Sequence, residues 1–276
     1  MNNNIILLAI PFFTLSVLIE SIINFYKKSD YYALKDTFAS LSMGIGNVIV
    51  SILTKFITLS FFYVLYNYRI FELNNQWWLW LLIIFADDFT FYWFHRFSHR
   101  CRYFWASHVI HHSSTKYNLS TALRQTWTGT ISGKFIFWFW LPIIGFHPLM
   151  IIMMKSLNLI YQFWVHTEVI SKMPKLFEAV LNTPSHHRVH HGYDSIYIDK
   201  NYAGIFIIWY KLFGTFQKEI HRPKYGITHN INTYNPFKVA THEWISIYQD
   251  IKWENSFINN VKYILKYPGW SHSKSR

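Results

Sequence analysis

A single cysteine, Cys101, stands in 276 residues, so no disulfide can close within the chain. Charge is scarce too: 14% of residues are Asp, Glu, Lys or Arg, against 51% hydrophobic and 21% aromatic. That balance is too apolar for an ordinary soluble domain. Acidic residues are the scarcer sign, 14 against 26 Lys and Arg, for a net charge of +12. A basic surplus can serve nucleic acid, but here it lies beside long apolar runs. Anionic lipid is therefore the expected partner, and nucleic acid is not. The start, MNNNIILLAI, lacks a basic segment before its apolar run and an A-x-A-like cleavage site near it, so it reads as a retained transmembrane helix. HExxH is missing, and with it the helix-borne site of a zinc hydrolase.

What the chain has in abundance is apolar length. Ile5 to Tyr26 is a nearly unbroken run of about 33 Å as a helix, enough to span a bilayer. Phe38 to Tyr66 is a second run, and Trp77 to Phe94 a third, opened by Trp77, Trp78 and Trp80 as an interfacial belt. Thr130 to Val165 is interrupted by Gly145 and Pro148, which predicts a hairpin of two helical arms of roughly 25 Å each. The Lys27–Lys35 loop and the Arg96–Arg102 segment are both basic and fall on one side, which the positive-inside rule makes cytoplasmic. The residues after Ile170 are more polar and belong to that side. Gly204 to Phe216 is too short to span and reads as an interfacial or buried helix. Asn235 to Trp253 reads as a further helix, and the tail from Tyr267 as frayed.

Histidines concentrate where the third run ends. His95 and His99 stand at i, i+4; His108, His111 and His112 at i, i+3, i+4. A second HxxHH follows as His187, His190 and His191. On helices these spacings bring imidazoles to one face, and neutral imidazole suits Fe, Zn, Cu or Ni. His166, at the far end of the hairpin, returns to the same side and joins the set. Nine nitrogen ligands exceed what one four-coordinate zinc needs and predict two metals with open positions. His186 either ligates or only neighbours ligands. His147, His221, His229, His242 and His272 lack companions at ligand spacing and read as surface or structural; Cys101 reads as a packed thiol.

Acidic and basic residues inside the apolar runs need partners. Asp88 lies seven residues before His95 and eleven before His99, on nearly the same helical face, so it is expected to orient one of those imidazoles from outside the ligand set. Asp87 points elsewhere. Glu20 is expected to reach the interface and Lys55 to snorkel outward. Lys134 and Lys155 either snorkel or face the interior.

Several of these motifs stand in a familiar order: DxxxYWxHRxxH, HxxHHS, NLSTALRQ, YQFWVHTEVI, LNTPSHHRVHHG and IDKNYAG, from about Ile84 to Phe216. The chain resembles the fatty acid hydroxylase/sterol desaturase superfamily, membrane-embedded di-iron oxygenases. The last four motifs are most similar to its ether-lipid-cleaving and bacterial sterol-desaturase-like members. The resemblance implies that the HxxxH and HxxHH histidines hold two iron ions, with zinc as a substitute. It implies dioxygen as co-substrate, a membrane lipid as substrate and an external electron donor. The ether-lipid branch draws on a reduced pterin and carries an acidic residue directly after HRxxH, where this chain has Arg100, which speaks against pterin here. No HPGG haem motif occurs, so a protein donor would be a separate chain.

The expectation is thus an all-α integral membrane bundle with a cytoplasmic histidine-rich di-metal cap, residing in a bacterial inner membrane. It is a single membrane domain: residues 1–76 as two N-terminal spans, 77–216 as the catalytic core and 217–276 as a cytoplasmic segment. Hydroxylation of a lipid C–H bond is the expected reaction. Desaturation at the same site and metal transport are its rivals, and a transporter would place its ligands near the bilayer midplane instead of at one face.

Overall fold

The computed structural model describes residues 5–73 and 76–272, and its architecture is all-α. Among the described residues only two isolated antiparallel bridges occur, Leu181 with Phe206 and Gly192 with Tyr225. The last four residues of the tail, 273–276, lie outside the described residues.

Helices α1 (Ile5–Tyr26) and α2 (Leu34–Tyr66) are long and apolar enough to cross a membrane. At 33 residues α2 is about 50 Å long, more than a hydrocarbon core needs. Its Gly46 is required by packing: a Cβ there would meet the Trp127 indole nitrogen at 2.3 Å. That close approach brings the loop after NLSTALRQ against the helix, where Trp127 Nε1 donates to the Met43 carbonyl (3.0 Å). Helix α3 (Trp78–Arg100) runs without a break through the HRFSHR segment, so His95 and His99 ride on the continuation of an apolar helix.

The region 130–165 departs from the expected pair of arms. Only its second half is one regular helix, α7 (Pro148–Trp164), of 17 residues. The first half is a series of turns, a 3₁₀ segment (Lys134–Trp138) and the short α6 (Trp140–Ile144). Gly133 takes a left-handed φ of 76° at the start of the 3₁₀ segment, and Pro142, without an N–H, stands inside α6. Apolar composition alone carries no record of those breaks. Packed between α2, α3 and α7, this irregular half supplies Trp138 and Leu141 to the main core with Phe62, Leu79, Ile83 and Ile151.

The histidine end is built from α4 (Arg102–His112), α5 (Leu119–Ala122), α8 (Lys175–Val180) and α9 (Pro184–His191), which close over the ends of α3 and α7. Gly204 to Phe216 holds only the five-residue helix α10 (Ile208–Leu212). Asn235 caps the expected helix near the end, α11 (Pro236–Lys252), and α12 (Phe257–Leu265) follows; both pack on α4. Arg102 locks that contact, donating to Glu243 (2.7 Å), Asp250 (2.6 Å) and Ser246 (2.8 Å).

Glu20 does not reach the interface. It is buried, and its carboxylate accepts from Tyr32 (2.5 Å), the backbone N–H of Leu119 (2.7 Å) and Thr167. The N–H groups opening α5 have no intrahelical partner, and an acceptor from α1 meets one of them. Glu20 thereby ties α1 to the two loops that follow the HxxHH and His166 segments.

Candidate metal centre

Each HxxHH helix splits its histidines in the same way. On α4, His108 and His112, one turn apart, face one group, and His111 faces another; on α9, His187 and His191 face the second group and His190 the first. Completed by α3 and the end of α7, the groups are His95, His99, His108, His112 and His190, and His111, His166, His187 and His191. Within each group one nitrogen per residue lies within 4.8 Å of all the others. The groups adjoin, with the His112 and His191 rings stacked at 4.3 Å between centroids. All nine sequence-expected histidines are therefore brought together, in two sets of nitrogen donors.

The nitrogen–nitrogen distances suit a cation. His95, His108 and His112 place their Nε2 atoms 2.9 and 3.1 Å apart in sequence, His190 Nε2 lies 3.2 Å from His112 Nε2, and His166 Nε2 lies 3.1 and 2.9 Å from those of His111 and His187. Two imidazoles on one metal, with bonds of about 2.1 Å, stand about 3.0 Å apart at right angles and about 3.4 Å apart at tetrahedral angles. Hydrogen bonding does not satisfy the whole cluster, and three outer nitrogens fix their tautomers. His95 Nδ1–H donates to the Tyr202 carbonyl (2.8 Å), His166 Nδ1–H to Gln162 (2.7 Å) and His190 Nδ1–H to Lys200 (3.0 Å). Those three Nε2 atoms then carry lone pairs, all turned inward. Four further buried imidazole nitrogens, His99 Nε2, His111 Nδ1, His187 Nδ1 and His191 Nε2, have no hydrogen-bond partner, at a cost of about 1–3 kcal/mol each if left so. Burial holds His108, His112, His187 and His191 well below the usual histidine range and His190 down to about 4, so the rings are neutral at physiological pH, as metal ligation requires.

The Fatty acid hydroxylase family profile matches residues 80–215, the stretch that contains all nine histidines. Over that stretch the chain is similar to that family. Alkylglycerol monooxygenases match almost all of it: the human protein at 42% identity over 273 residues, the Xenopus tropicalis protein at 39% over 272 and the Danio rerio protein at 40% over 279, each covering 97% of this chain and 60% of the relative. The chain thus spans about three fifths of those relatives. They are animal proteins and lend no support to a bacterial membrane. No solved structure matches the chain.

Support for this histidine site comes from a segment whose importance lies in its backbone. Asp199 to Tyr202, in IDKNYAG, supplies the carbonyls that hold His190 and His95, and the Asp199 carboxylate lies 3.8 Å from His99 Nδ1. Asp199 and Asn201 both take left-handed φ values, 62° and 53°, which turn those carbonyls toward the histidines. Asn201 holds the turn by donating to the carbonyls of His186 (3.1 Å) and Gln217 (2.8 Å).

Asp88 serves this segment and does not touch His95 or His99. Its carboxylate accepts from the backbone N–H of Ile205 (2.7 Å) and Phe206 (2.9 Å) and from Trp209 Nε1 (3.0 Å). A seven-residue step keeps Asp88 and His95 near one helical face, but it is about 10 Å of rise, beyond the reach of an aspartate. The route to His95 runs through the chain from Ile205 back to Tyr202. Gly204 has no room for a side chain: a Cβ would lie 2.3 Å from Asn158 Oδ1 and 2.8 Å from Asp88 Oδ1. Asp87 points away, accepting from Trp138 Nε1 (2.7 Å) and Asn158 (2.8 Å).

The remaining histidines fall outside both groups. His186 turns to Glu178 (3.5 Å) and Thr183 (3.2 Å). His147 caps α7, His221 meets Asp194, His242 bonds the Val239 carbonyl and His272 pairs with Glu254 and Tyr263. Cys101 is buried, with its thiol near the Ile264 carbonyl. Arg188, between His187 and His190, is fully buried and held by both oxygens of Glu219 (2.8 and 2.7 Å), which fixes the orientation of α9.

An apolar cavity of about 460 Å³ lies between α1, α2 and α7 and reaches His111 and His166. A smaller one of about 100 Å³ borders His95, His108, His111 and His187. Gln125, Leu159 and Gln162 line both.

Proposed function

We propose that the nine histidines hold two iron ions and that the chain is a membrane monooxygenase inserting oxygen into a lipid C–H bond, with an ether lipid such as an alkylglycerol as the first substrate to try. The single observation that carries this reading is the arrangement of inward lone pairs in two adjoining all-nitrogen groups at the end of an apolar cavity. Iron bound there supplies dioxygen activation and the removal of hydrogen from carbon. The protein's part is placement: α1, α2 and α7 admit an acyl or alkyl chain and keep water from it. The Lys200, Tyr202 and Gln162 carbonyls hold His190, His95 and His166 in the tautomer that turns Nε2 inward. Nine neutral ligands would leave the charge of the metals largely uncompensated, which a carboxylate or a hydroxide would help to offset. Zinc competes for the same nitrogens, being the tighter binder.

The site is further read as cytoplasmic, electrons coming from an external donor. Purified protein reconstituted with iron should hold about two metals per chain and consume dioxygen with formation of a hydroxylated or cleaved lipid. One metal per chain after reconstitution, or lipid turnover unaffected by removing iron, rejects the reading. A reporter fused after His191 should score cytoplasmic and one in the Asn67–Gln76 loop external; the reverse overturns the orientation.

A further inference from the structure

A third cavity, of about 280 Å³, adjoins the first two and differs from them in charge. It shares Asn47, Gln125, Leu159 and Gln162 with the apolar cavity that reaches His111. Three lysines line it: Lys55 from α2, Lys134 from the 3₁₀ segment and Lys155 from α7. One carboxylate lines it, Asp87, and that group is committed. It accepts from Trp138 and Asn158 and interacts electrostatically with Lys155, whose Nζ lies 2.9 Å from the Trp138 ring centroid. Lys55 and Lys134 have no hydrogen bond or ion pair among the described residues. Lys134 also lines the small cavity against His95, His108, His111 and His187. Its ammonium sits over Gly129, where a Cβ would lie 2.7 Å from Nζ.

Ammonium groups without counter-charge among apolar helices are costly, and such groups pair with one another, with backbone or with a ligand. Half-buried Lys134, with exposed Lys55 at the cavity's outer edge, gives a cavity joined to an apolar arm two cations without a protein partner, which describes a binding site for a molecule with an anionic end and a long hydrocarbon chain. We propose that this cavity takes the oxyanion of the lipid substrate, a carboxylate or a phosphate, on Lys134 and Lys55, while the chain lies in the apolar arm between α1 and α2. This rests on the reading of the chain as a lipid oxygenase and shifts the preferred substrate from a neutral alkylglycerol to a lipid that also carries an acidic group. The two arms meet at Gln125 and Gln162 beside His111, so the carbons presented to the histidines are those near the polar end of the lipid, not the chain terminus.

The test measures binding, not turnover. Full-length protein in nanodiscs of zwitterionic lipid is titrated with radiolabelled oleate, an alkylglycerol phosphate, and the neutral oleyl alcohol and alkylglycerol. Wild type should prefer the anionic over the matched neutral probe. The better of the two anions identifies carboxylate or phosphate as the natural group. Lys134→Met should weaken the anionic probe by about 10–100-fold, the value of a charge-assisted hydrogen bond, and leave the neutral probe unchanged. Lys134→Arg should restore most of it, which also shows that the site tolerates substitution. Equal affinity of wild type for oleate and oleyl alcohol, and for the phosphate and its alcohol, overturns the proposal without any variant. So does a Lys134→Met protein that still discriminates as wild type does. If acidic lipids show no preference yet the iron-loaded protein still oxidises a neutral ether lipid, the substrate class fails and the oxygenase reading stands.

Discussion

Helices α1 and α9 are opposite solutions to the same problem of burying a helix. In α1, three of 22 residues are buried within the protein: Phe13, Val17 and Glu20. In α9 all eight are, though six of them are Ser, Arg or His in the run PSHHRVHH. The apolar helix gives its side chains to the surroundings, which must then be lipid, and the polar helix gives its side chains to the interior. The inversion teaches where each region gets its stability. For α1 it is transfer into hydrocarbon, needing no particular neighbour. For α9 it is a closed set of partners, each of which must be present: Glu178 for Ser185 and His186, Glu219 for Arg188, and, in our reading, two metals for the three motif histidines.

The sharpest way to break that contrast is to remove a partner from the polar region. His108→Ala and His190→Ala each take one nitrogen from the same group. Either should abolish turnover and lower metal content toward one per chain after iron reconstitution, measured by elemental analysis of purified protein. His272→Ala, whose ring pairs with Glu254 at 3.1 Å far from the cluster, should change neither. Retention of two metals in both cluster variants would dissolve the division into two sites.

The next effect in size concerns the backbone support. Asp88→Asn leaves one of three N–H donors, Ile205, Phe206 or Trp209, facing an amide instead of a carboxylate oxygen, and loosens the segment that carries the Tyr202 carbonyl to His95. Loss of an orienting partner typically costs 10–100-fold in metal affinity or activity. Metal retention on dialysis against a chelator should fall within that range. Asp87→Asn disturbs Trp138 and Asn158 instead, so it should lower thermal stability with metal retention closer to wild type. A larger metal loss from Asp87→Asn would mean that the support runs through α7 and not through residues 202–206.

The two regions also differed in how far sequence alone described them. The apolar helices and the nine histidines were legible because helical spacing and hydrophobic length are properties of side-chain identity: i, i+4 pairs share a face whatever surrounds them. His166 was recoverable only by following the chain through the membrane and back. What spacing cannot supply is reach or backbone direction. Asp88 lies on the expected face yet two turns short of its expected target. Lys200 and Tyr202 act through carbonyls, which every residue has, and the left-handed turn that aims them falls on Asp199 and Asn201, not on glycine. The broken half of the 130–165 hairpin was hidden for a related reason: an aromatic run such as FIFWFW has helical hydropathy whether or not its hydrogen bonds continue.

The smallest expected effect lies where a buried carboxylate of α1 meets the histidine region. Glu20, on the lipid-facing helix, holds Leu119 and Thr167, which border the histidine region. Glu20→Gln keeps one good acceptor for the Leu119 N–H, and the Tyr32 and Thr167 hydroxyls can rotate to accept from the new amide, so the net loss should be about 1 kcal/mol or less. Glu20→Ala leaves the Leu119 N–H with no acceptor and costs about 1–3 kcal/mol for that group. Thermal unfolding followed by loss of monodispersity should therefore rank wild type, Gln and Ala in that order, with Gln close to wild type. Metal content should hold in both, because no histidine hydrogen-bonds to Glu20, Leu119 or Thr167. If Glu20→Ala instead shed metal while unfolding at the wild-type temperature, α1 would be part of the histidine region's support and not only the wall of its lipid cavity.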